Sequence, residues 1–159
     1  FFRAFFFINT NFFLAWMIIF WFSNATLTFG MFMSTFATTE RMAALASLAG
    51  FFVLCFSVTA VQASSPTWLK VLLSFFPPPA FSLTFGTVWK WEEAGLGGTF
   101  GTSNSMIENY SVAIGIWMLF IDSWLYLGLY YYLDNVIWWH PVGVARKPWF
   151  CFMGSYWRE

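Results

Sequence analysis

The chain has 159 residues, of which 60% are hydrophobic, 25% aromatic and only 9% charged, with a mean hydropathy of +0.67. A soluble domain carries about 25% charged residues, so this composition marks an integral membrane chain. Seven basic and seven acidic side chains balance, which excludes the clustered Lys and Arg of a nucleic-acid surface.

In chain order, Phe1 to Asn11 reads as an interfacial lead-in. It opens in mid-hydrophobic sequence, without an initiator Met or the pattern of a signal peptide, as expected for a piece of a longer protein. Residues 12–36 then run without a charge for 25 positions. About 20 apolar residues cross a bilayer, so this is a first membrane span. The polar cluster Thr38, Thr39, Glu40 and Arg41 is a short turn that makes the next helix an antiparallel neighbour. That second span is predicted over residues 42–63, and its small residues from Ala43 to Gly50 permit close helix approach.

Residues 67–91 are apolar yet cannot be one span, because Pro77, Pro78 and Pro79 interrupt them. Each proline removes a backbone donor and pushes the residue before it out of the α region. Two short helices are predicted, Thr67 to Phe76 and Ala80 to Trp91, with the prolines as the corner between them. Unpaired backbone is costly in hydrocarbon, so such a break belongs to a re-entrant or interfacial helical hairpin, buried in protein or lying near one membrane face. Gly95 to Asn104 follows as a polar loop, and residues 112–137 form the third full span. The membrane region is thus residues 1–139, and residues 140–159 with Arg146, Lys147 and Arg158 form a cytoplasmic elbow. Counting spans from that side puts the Thr38 to Arg41 turn with the tail and the hairpin opposite. The sequon Asn109-Tyr110-Ser111 then faces outside as a possible glycosylation site, while Asn24-Ala25-Thr26 lies within a span.

The chemistry is sparse. None of Lys70, Lys90 and Lys147 stands in a phosphate loop, and Gly95, Gly97, Gly98 and Gly101 miss G-x-G-x-x-G because Phe100 takes the last required place. One histidine, His140, excludes a histidine-rich metal site. Cys55 and Cys151 are expected to be free thiols. No catalytic, cofactor or metal residues are assigned. The residue that stands out is Asp122, midway along the third span, with Tyr126 four residues on and on the same helix face. A buried acid there either ties the helix to Ser23, Asn24 or Thr26 of the first span or acts on a substrate or proton. Glu92 and Glu93 are expected to hold the end of the hairpin at the water boundary, and the Phe and Trp stripes to face lipid or packing partners.

The order of a proline-broken segment, then Trp91-Glu92-Glu93-Ala94-Gly95-Leu96-Gly97, then a span with Asp122-Ser123-Trp124-Leu125-Tyr126, resembles the first membrane domain of the A subfamily of ATP-binding cassette transporters. Tyr132-Leu133-Asp134-Asn135-Val136, Arg146-Lys147-Pro148-Trp149-Phe150 and Ser155-Tyr156-Trp157 are similar to that family's exit from its sixth helix. The family usually reads Arg-Pro-Trp where Lys147 intervenes here, has fewer prolines in the hairpin, and lacks the Trp138-Trp139-His140 insertion. The resemblance implies an all-α fragment, the C-terminal part of an ABC-2 type membrane domain, with transmembrane helices four to six and a pair of short extracytoplasmic helices between the fifth and sixth, in a multi-pass transporter moving lipids or other amphipathic molecules. It also implies ATP and Mg as cofactors of the whole protein, with nucleotide-binding domains, a second membrane domain and membrane lipids as partners. The alternative from another class is a passive channel or a structural subunit of a membrane complex.

Overall fold

The computed structural model describes residues 9–62 and 64–136. The lead-in before Asn9, the end of the third span at residue 137, and the elbow with His140, Arg146, Lys147, Cys151 and Arg158 lie outside the described residues. The described chain is all-helical, without a strand. Its helices are α1 (Phe12–Ser34), α2 (Glu40–Ser57), α3 (Thr67–Leu73), α4 (Pro77–Glu93) and α5 (Val112–Val136), with a 3₁₀ turn at Val58–Ala60. Three of these, α1, α2 and α5, are long and apolar enough to cross a membrane.

Local chemistry sets the ends. Asn11 caps α1, its side chain accepting from the Phe13 N–H at 2.9 Å. The helix closes with Ser34 and Thr35 hydroxyls donating to the Met31 and Phe32 carbonyls at 2.6 and 2.8 Å. The first span therefore stops two residues before Phe36. Thr39 caps α2 and places Glu40 in its first turn, where a carboxylate suits the helix dipole. This second span begins two residues earlier than expected. It gives way at Val58 to a 3₁₀ turn, where Val58, Thr59 and Val61 bring stiff β-branched side chains into the last turn.

The hairpin differs from the expectation in a way that matters. The three prolines do not sit between two helices; they are the first turn of α4. Proline is excluded from a helix interior, where it takes away an N–H that should bond, but the first-turn N–H groups have no intrahelical partner in any case. The first bonded donor of α4 is Ala80, whose N–H reaches the Phe76 carbonyl at 3.1 Å. Only Ser74, Phe75 and Phe76 are left to make the corner.

The packing partners fix directions. Trp21 meets Phe120 with ring centroids 4.7 Å apart and Phe29 meets Tyr126 at 5.2 Å, so residue numbers rise together and α1 runs parallel to α5. Helix α4 runs antiparallel to α5: Val88 packs in the cluster with Val112, Thr84 touches Gly115, and Ala80 packs with Leu119. The core is therefore the seam where α1, α4 and α5 meet. A Cβ at Gly115 would lie 1.8 Å from the Thr84 hydroxyl oxygen, so glycine is what allows α4 to come this close. Helix α2 contributes no buried residue and leans on α1, with Gly50 against the Met33 and Phe29 side chains.

Candidate functional site

The hairpin has an exposed end and a deep, buried end. At the exposed end, α4 finishes in a Schellman turn. Gly95 at φ +71° accommodates the left-handed position, its N–H reaches the Glu92 carbonyl at 2.9 Å, and the Leu96 N–H reaches the Trp91 carbonyl at 3.1 Å. The chain then folds back against the entry to α1. Glu92 accepts the Asn9 N–H at 2.7 Å on one carboxylate oxygen and the Thr10 hydroxyl at 2.6 Å on the other. Thr10 in turn accepts the Gly98 N–H at 2.9 Å, and the Asn11 N–H donates to the Gly98 carbonyl at 2.8 Å. Gly97 lies flat against this strap at φ +65°, where a Cβ would stand 2.2 Å from the Asn9 carbonyl oxygen. Glu92, Gly95 and Gly97 thus form one clasp joining the end of the hairpin to the start of the first span. Glu93 stays apart from it and accepts the Trp89 indole N–H at 2.8 Å.

The segment between the hairpin and α5 is pinned to α3. Ser74 and Tyr110 share a buried hydroxyl hydrogen bond of 2.8 Å. Burial pushes the Tyr110 phenol above its ordinary pKa, so it serves as a neutral hydrogen-bonding group. Lys70 is buried and donates its ε-ammonium to the Glu108 carbonyl, while the Glu108 side chain pairs with Lys90. Glu108 and Asn109 both take positive φ, and the exposed Asn109 donates its amide to the Ser65 carbonyl at 3.3 Å. Lys70 and the Ser74–Tyr110 bond were missed by sequence reasoning. The signal available was a lysine inside the apolar run Thr67 to Phe76, where a cation needs a nearby acceptor.

At the deep end, the Tyr126 hydroxyl donates to the Phe75 carbonyl at 2.8 Å. Tyr126 stands fourteen residues past the start of α5, about 21 Å along a helix, so the hairpin corner is tied far along α5 from its start.

Asp122 lies one turn above Tyr126 and is 0% exposed. Among the described residues neither of its carboxylate oxygens has a hydrogen-bond partner, and the Thr26 hydroxyl oxygen is likewise buried without one. The expected ties to the first span are not made. Ser23 and Asn24 instead turn back onto the Ile19 and Phe20 carbonyls of their own helix at 2.8 Å each, the arrangement that costs least in hydrocarbon. Ser123 does the same with the Leu119 carbonyl at 2.9 Å. Beside this seam, Met17, Trp21, Ile116, Trp117 and Phe120 line an apolar cleft of about 340 Å³ between α1 and α5, with Ser103 near its mouth.

The sequence comparisons bear on what such an assembly belongs to. The chain is 31% identical over 158 residues, covering 91% of its length, to the retinal-specific phospholipid-transporting ATPase ABCA4 of Homo sapiens. It is 34% identical over 95 residues, 60% of its length, to ABC transporter A family member 4 of Dictyostelium discoideum. The chain is related to ABC transporters. It spans 7% and 6% of these two relatives. No protein-family model matches it, and no solved structure does.

Proposed function

We propose that the chain is the closing part of an ABC-2 type membrane domain in an A-subfamily transporter that uses ATP to move lipids or similar amphiphiles across a membrane. The observation that carries this reading is the relationship over 91% of the chain to a phospholipid-transporting ATPase. The motif order and the three long apolar helices agree with it. The apolar cleft between α1 and α5 suits a lipid tail entering sideways from the bilayer.

In this reading the residues derived above build a wall of the translocation path, and the chemistry of ATP with Mg²⁺ belongs to nucleotide-binding domains elsewhere in the whole protein. A second membrane domain faces this one. The elbow at 140–159 hands the movement of the cassettes to α5 from the cytoplasmic side, which leaves the clasp and Asn109 on the opposite side. Two observations test the proposal. The coding sequence beyond residue 159 is expected to contain G-x-x-x-x-G-K-[ST] within the next domain. The purified whole protein in vesicles is expected to translocate a fluorescent phospholipid only with ATP and Mg²⁺. Translocation that persists unchanged without nucleotide would support a passive channel instead, and loss of the phosphate loop from the gene would remove the basis of the proposal.

A further inference from the structure

The register of α4 on α5 carries one more step. Val88 pairs with Val112, Thr84 with Gly115 and Ala80 with Leu119. Continuing by one turn brings the start of α4, at Pro77, opposite Asp122. A carboxylate at the start of a helix is ordinarily held by that helix's free N–H groups as well as by its dipole. Here Pro77, Pro78 and Pro79 occupy the whole first turn and are fully buried, so the positive end of α4 lies beside Asp122 but offers no donor. Its oxygens are sealed from water and bond to nothing among the described residues. A charge in that position has neither solvent nor a hydrogen bond, whereas the neutral acid needs far less.

We propose that Asp122 is a proton-binding site that latches the hairpin corner: the protonated acid fits the seated corner, and the carboxylate forms when the corner lifts away from α5 and lets water in. On lifting, the carboxyl O–H breaks, its electron pair stays on the oxygen, and the proton passes to the entering water. The positive end of α4 keeps the charged form within reach, so the site is reversible rather than permanently neutral. The other groups around it do not supply the charge balance. Among the described residues, Tyr126 and Tyr110 are the titratable groups close enough to feel Asp122, and their hydroxyls are engaged by Phe75 and Ser74. Helix α1 contains no ionisable side chain, those of α4 lie in its last turns at Lys90, Glu92 and Glu93, and the Lys70 ammonium of α3 is directed to Glu108.

This inference concerns the corner itself and stands apart from the transport reading, so its test does not use transport. Spin labels at Leu72 and Leu27, both on the exposed surface, report the distance between the hairpin and α1 in the intact protein with other reactive cysteines replaced. Between roughly pH 5 and 9 the lifted population should grow with pH, by at most tenfold per unit for one linked proton. Asp122→Asn and Asp122→Leu should hold one distance throughout, and Asp122→Glu should keep the pH response. A native protein whose distances are flat with pH overturns the proposal, whatever the variants do. So does an Asp122→Asn protein that tracks the native curve, or a response that follows Na⁺ concentration at constant pH.

Discussion

The two ends of the hairpin meet the same physical demand by opposite means. At the exposed end the backbone is given partners: the Schellman turn uses the Trp91 and Glu92 carbonyls, and the Glu92 carboxylate takes up the Asn9 N–H and the Thr10 hydroxyl. At the deep end the demand is reduced instead, because Pro77, Pro78 and Pro79 have no N–H to satisfy. Water is close at the first site, so polar groups are cheap and can serve as fasteners. At the second an orphan donor costs about 1–3 kcal/mol, so the better solution is to have fewer of them. The difference explains why the clasp is rich in glycine and carboxylate while the corner is rich in proline.

The largest test of that contrast is at the prolines. Changing Pro77, Pro78 and Pro79 together to alanine introduces better helix formers but exposes three buried donors. Local stability at the corner should fall by about 3 kcal/mol or more, read as faster amide exchange over residues 69–76 in the intact protein. A gain in protection would mean that helix propensity, not donor removal, decides the corner. The middle-sized test is at the clasp. Glu92→Ala strands an N–H and a hydroxyl near water and should cost about 1–2 kcal/mol, seen as a lower melting temperature. Glu92→Gln keeps one acceptor and should recover about half. The smallest is Tyr126→Phe, which removes a single bond to the Phe75 carbonyl and should cost about 1 kcal/mol, measured by the same exchange at Phe76. An effect there larger than at the prolines would invert the comparison.

Much of this was legible in the sequence. Long apolar runs pointed to the three helices that are long enough to span a membrane, and Glu92 was expected at the end of the hairpin, where the clasp forms. What could not be read was pairing across distance. The Asn9–Thr10 entry to α1 and the Glu92 side chain come together over a separation of more than eighty residues, and no periodicity in either segment encodes that meeting. The prolines misled in a narrower way: their chemistry ends a helix when met from inside and begins one when met from outside, and the string of letters does not say from which side. Asp122 was singled out as unusual, but the ties to Ser23, Asn24 or Thr26 are not made: Ser23 and Asn24 satisfy themselves on the preceding turn, as short polar side chains in a helix do, and the Thr26 hydroxyl has no partner among the described residues. Gly115 carried no visible signal, since only the approach of Thr84 gives it a purpose.

The proline-started helix also has a meaning for whatever slides past it. A helix beginning with free N–H groups is a cradle for phosphate, and one buried midway through a bilayer would hold a lipid headgroup in place. The first turn of α4 offers a headgroup nothing to grip. On the amphiphile route proposed above, it would be a smooth stone rather than a hook.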